Sequence, residues 1–188
     1  MNKRTFLKRC LYFTGIVTIA IWSLLAWNYY NGGVPSHSIL AREDLPSISN
    51  WWGGLLLPLL TWFLLYRIKL RLFSNQVENP KISEFLVEIR VGFVGALLFG
   101  ILLSGFFTFG YSDMSGYMVN ALFIIALFFP IYRAECLLGF VIGMTFTFGA
   151  VLPTGIGSIF ALIGLILYKF VRPGILFISS RVIRLVKE

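Results

Sequence analysis

Val91–Tyr111 reads VGFVGALLFGILLSGFFTFGY, a run without a single acidic, basic or histidine residue. About 20 residues at helical rise cross the ~30 Å hydrocarbon layer of a bilayer, so this stretch predicts a transmembrane helix. Two further stretches read the same way. Leu11–Tyr29 carries no charge, and Trp51–Ile68 meets its first charge only at Arg67. Three shorter ones follow: Tyr117–Tyr132, Cys136–Leu152 and Ile156–Val171, with Pro130, Pro153 and Pro173 marking their ends. Proline removes a backbone donor and is tolerated mainly at helix boundaries. Fusing Tyr117 to Leu152 into one element would give five spans. It would also place Arg133 and Glu135 at mid-depth, where charges are costly. The expectation is therefore an all-α, polytopic bundle of six spans forming one integral domain over residues 1–188.

Composition agrees with that reading. Of 188 residues, 58% are hydrophobic and only 13% charged, more apolar surface than a water-soluble domain of this length can hide. The net charge of +8 could point to nucleic acid, but the cations sit between apolar runs, and no basic face with interleaved aromatics exists. With the N-terminus in the cytoplasm, every Lys and Arg falls on the inner side except Arg42. This satisfies the positive-inside rule for both termini, and an odd span count would break it. A short chain with this bias suits a bacterial plasma (inner) membrane. Cys10 and Cys136 lie at cytoplasmic span ends with no metal-type spacing, and read as small buried residues.

Helices in lipid have no hydrophobic drive to associate, so close packing needs small side chains. Gly92, Ala96, Gly100, Ser104 and Thr108 recur every four residues in the third span, which should be a central helix. Gly139, Gly143 and Thr147 repeat the device in the fifth, and Gly157 and Ala161 begin it in the sixth. In the second span Pro58 should kink the helix, with Thr61 placed to satisfy the freed carbonyl. Trp27, Tyr29, Tyr30, Trp51, Trp52, Tyr111 and Tyr117 form an aromatic belt at the outer surface. Two cytoplasmic interfacial helices are expected. One starts at Asn79–Pro80, with Ile82, Phe85, Leu86 and Ile89 on one face, and runs along the membrane or continues into the third span. The other covers 174–187 and lies on anionic lipid.

Catalysis would need a base, an acid or nucleophile and often a metal within mutual reach. The chain has one histidine, His37, and no HExxH, nucleophile elbow or phosphate loop. No metal or cofactor is expected. Intramembrane charges, which ion-coupled transporters need, are missing as well. Polar capacity gathers instead in the outer loop 30–50, with His37, Arg42, Glu43 and Asp44, beside Trp51 and Trp52. The outer turn at Asp113 and Ser115, the turn at Thr154 and the membrane-embedded Asn120 add to it. Asn120 either ties two helices together or meets a ligand.

The first functional expectation is a non-catalytic binding or transport subunit that holds a small apolar or amphipathic solute at an outward-facing site and depends on a membrane partner for energy. In size and span count such a body is similar to the substrate-binding subunits of energy-coupling-factor vitamin transporters, a likeness of architecture carried by no motif. The second is an accessory protein that assembles, stabilises or inhibits a membrane partner. The third is an enzyme acting on lipid or isoprenoid through His37, Glu43 and Asp44.

Overall fold

The computed structural model describes residues 3–38, 47–74 and 79–177. Six helices carry nearly all of them: α1 (Lys3–Tyr30), α2 (Gly53–Ser74), α3 (Asn79–Thr108), α4 (Ser112–Phe128), α5 (Ala134–Phe148) and α6 (Val151–Ile166). A two-stranded antiparallel hairpin, β1 (Ser36–Ser38) with β2 (Ser47–Ser49), interrupts the run between α1 and α2. Three helical stretches are long and apolar enough to cross a membrane: Lys3–Tyr30, Ser83–Thr108 and Val151–Phe177. Helices α4 and α5 are apolar as well but shorter.

Large apolar side chains such as Ile16, Leu59, Leu98 and Ile159 stand exposed on the outside of the bundle. So broad an apolar surface is tolerable only where lipid covers it. The chain is membrane-associated on that ground.

The small-residue stripe packs as the spacing implies. Helix α3 against α5 is the most extensive helix contact in the fold. A Cβ added to Gly100 would stand 2.8 Å from the carbonyl oxygen of Phe140, and one added to Gly143 would stand 2.5 Å from that of Leu97. At Gly139 it would strike the Phe93 carbonyl. The two backbones therefore touch directly along this seam, the geometry that small residues permit. The central helix, however, is α5 and not α3. Leu138 to Val141 and Gly143 to Thr145 are all buried, because α2, α3 and α6 enclose α5 on three sides. Helix α3 meets α5 along one seam and is otherwise sparsely covered, its most apolar stretch being 11% buried. Helices α1 and α2 complete the core with Val17, Ile21, Leu25 and Leu57.

Several boundaries differ from the sequence reading, each for a local reason. Helix α4 begins at Ser112, so Asp113 and Ser115 lie in its first turns and not in a loop. Gly110, at φ +79°, makes the break after α3, and an acid in the first turn suits a helix start. Helix α6 starts at Val151 and takes in Thr154. Pro153 then falls in the first turn, where its missing donor costs nothing. Past Ile166 the helix widens into a π turn over Leu167–Val171 and continues through Pro173 to Phe177. A π turn is one way a helix passes a proline. The expected interfacial helix 174–187 thus opens as an extension of the sixth helix, and its part beyond 177 lies outside the described residues.

The other amphipathic segment continues without a break into α3, starting at Asn79. Phe85, Leu86 and Ile89 do not lie along a surface but cover a cluster of Phe6, Cys10, Ile68 and Leu72 at the ends of α1 and α2. In α2 the helix runs unbroken through Pro58. Thr61 is fully buried, yet its hydroxyl has no hydrogen-bond partner, so it does not satisfy a carbonyl freed by the proline.

The bundle has two unlike ends. At the hairpin end the described residues include no Lys or Arg, and Trp27, Tyr29, Tyr30, Trp51, Trp52, Tyr111 and Tyr117 are all exposed there. The opposite end carries Arg67, Arg71, Arg133, Lys169 and Arg172, along with Glu88 and Glu135.

Candidate functional site: a cleft beneath α4

Helix α4 is the loosest element of the bundle. Only Ala126 in it is buried, and its contacts with α3 and α6 are sparse. Bulky side chains on α4 meet bulky ones on its neighbours, so no glycine seam draws it in. Gly116 of α4 and Gly95 of α3 both face open space. The result is a cleft with two compartments along α4, and a third concavity adjoins it past the end of that helix.

The largest compartment, about 730 Å³, lies toward the hairpin end. Its walls are Leu103, Phe107, Val119, Met144, Phe148, Leu152, Pro153, Ile156 and Phe160, with Ser36, Ser115 and Asn120 as its polar groups. This volume and lining fit a small ligand that is mostly apolar and oriented by a few hydrogen bonds. The second, about 280 Å³, is almost wholly apolar around Ala96, Phe99, Leu122, Ile125 and Ala161. Phe160 borders both. Its ring stands edge-on to Phe123 at 5.7 Å and tilted to Phe140 at 5.9 Å. The third concavity, about 350 Å³, shares Gly92 and Cys136 with the second compartment and opens among Glu88, Arg133, Glu135 and Tyr168.

Two ion pairs join described residues at that far end. Arg71 donates to Glu135 at 2.8 Å, with Glu135 1% exposed, and Arg133 donates to Glu88 at 2.8 Å. The second carboxylate oxygen of Glu135 and the Nε of Arg71 are buried without a hydrogen-bond partner.

Of the site residues expected from sequence, the structure brings Asn120 and Ser115 to the large compartment and adds Ser36 from β1, the edge of the outer loop. The backbone of His37 pairs with Ile48, while its side chain lies outside the described residues, as do Arg42, Glu43 and Asp44. Trp51 packs on Trp22 and Tyr29, with ring centroids 6.4 and 6.2 Å away, on the α1 side of the bundle. Neither it nor Trp52 or Asp113 lines the cleft. The Asn120 side chain is exposed, and no hydrogen bond joins it to another helix among the described residues. Among the described residues no three His, Cys, Asp or Glu side chains gather as a metal site.

No family model, curated protein or solved structure matches this chain.

Neither the ring contacts of Phe160 nor the Arg71–Glu135 pair is legible in the sequence. Phe123, Phe140 and Phe160 come from three helices among many phenylalanines. Arg71 and Glu135 are 64 positions apart, with no local signal to join them.

Proposed function

We propose that this chain is a non-catalytic integral membrane protein that holds a small apolar or amphipathic solute in the cleft beneath α4, at its outward-facing end, as the binding or transport subunit of a larger system. In this reading all six helices span a bacterial plasma membrane and both termini are cytoplasmic. The observation that carries it is the compartment of about 730 Å³, apolar but for Ser36, Ser115 and Asn120. The charge difference between the two ends supports the orientation, since cations gather on the cytoplasmic side of inner-membrane proteins. An accessory protein would meet its partner through the small-residue stripe or the basic C-terminal tail, and α5 covers the stripe at Gly92 and Gly100.

Ligand extraction tests the site. Protein purified from its native membrane is expected to carry one class of small apolar molecule, detected by mass spectrometry, and Val119→Trp should remove most of it by filling the compartment. If Val119→Trp folds and retains the same molecules in the same amount, the reading fails. Orientation is tested separately. With Cys10 and Cys136 replaced by Ser, Ser38→Cys should react with an impermeant maleimide from outside intact cells. Labelling only after the membrane is opened would reverse the topology.

A further inference from the structure

Another concavity, about 680 Å³, lies between α2 and the turn that opens α5, at the end remote from the hairpin. Three guanidinium groups line it, those of Arg67, Arg71 and Arg133, and no carboxylate does. Its remaining walls include Phe63, Leu64 and Leu137, which extend from the arginines toward the apolar middle of the bundle. We propose that this groove binds the phosphate of an anionic lipid headgroup, with an acyl chain along Phe63 and Leu64.

Placement of the arginines favours an anion. Arg67 and Arg71 are four residues apart on one helix, an i,i+4 spacing at which like charges repel. Glu135 balances Arg71 and Glu88 balances Arg133, while no carboxylate among the described residues pairs with Arg67. The groove therefore keeps a positive excess that a phosphate would neutralise. Two of the three groups are also held in advance. Arg71 is fixed by Glu135 and lies over the Phe85 ring at 5.6 Å, and Arg133 is fixed by Glu88. Both remain partly exposed, with side chains 28% and 29% accessible, so N–H groups are left for a ligand. A planar guanidinium fork suits phosphate oxygens better than an ammonium does. Helix α5 adds to this, for its first turn borders the groove at Ala134 and receives no side-chain cap from Arg133. Basic pockets between membrane helices recognise anionic headgroups in the same way.

The test is lipid retention by the full chain. Protein reconstituted in nanodiscs of equal phosphatidylglycerol and phosphatidylcholine, then re-extracted in mild detergent, should keep the anionic lipid about five- to tenfold over the zwitterionic one. Arg67→Gln with Arg133→Gln should bring the ratio near one, and the matching Lys changes should preserve most of it. Arg67→Gln alone alters an exposed residue and should lower the ratio even if the double variant misfolds. Inorganic phosphate is the second arm. Millimolar phosphate that displaces the anionic lipid would agree with a held phosphate group. Phosphate that stabilises the protein in phosphatidylcholine alone, with no lipid preference, would overturn the lipid source. An unchanged preference in Arg67→Gln and in the folded double variant would overturn the site itself.

Discussion

Gly143→Leu is expected to destabilise the bundle by about 3 kcal/mol or more, enough to leave little monodisperse protein in detergent. At Gly143 the first added carbon already stands 2.5 Å from the Leu97 carbonyl oxygen, 3.1 Å from the Ile101 nitrogen and 3.3 Å from the Gly100 Cα. All three are backbone atoms of α3, which cannot swing aside as a side chain does. Helix α5 would have to move away bodily, and it is the helix that α2, α3 and α6 all pack against. Gly105→Leu is the control. It lies in α3 as well, with nothing within 4 Å of its Cβ position, and should be nearly neutral apart from helix propensity. Thermal loss of the monodisperse peak, followed side by side, reads the difference. Equal melting of the two variants would mean that the α3–α5 seam does not hold the protein together.

The same seam shows what the sequence made legible. Glycine and alanine every four residues mark close helix contact whatever the partner, so Gly92, Gly100, Gly139 and Gly143 could be picked out without coordinates. Which helix sits in the middle could not. That depends on how many neighbours each helix has, and the stripe on α3 says nothing of its other face. Proline alone does not mark a helix end. Pro153 starts a helix and Pro173 is passed by a π turn, and both outcomes depend on whether the missing donor had a partner to lose. Of the candidate site, Asn120 was legible because an amide is conspicuous in an apolar run. The cleft around it was not, for it arises from α4 failing to pack, a property of unlike surfaces on four helices. The groove of Arg67, Arg71 and Arg133 was hidden in a different way: each arginine was already explained by the positive-inside rule, and nothing in the linear order joins 71 to 133.

Breaking the Arg71–Glu135 pair is the other change expected to be severe. Arg71→Met would strand a carboxylate that is 1% exposed and already has one oxygen without a partner, at a cost of about 3–5 kcal/mol. Glu135→Leu should cost less. It strands Arg71, whose side chain is 28% exposed and can turn its charge toward water or headgroups. The two losses should not add. With both residues apolar no buried charge remains, so Arg71→Met with Glu135→Leu should recover most of the stability lost by Arg71→Met alone. Melting temperatures of the four proteins, measured in one detergent, give the coupling directly. Additive losses would show that the 2.8 Å contact contributes nothing beyond the separate packing of its two side chains. Recovery in the double variant would instead show that the pair is a matched burial at the arginine end of the bundle. It would also separate fold from function, because that protein keeps its helices packed while lacking one of the three guanidinium groups that line the groove.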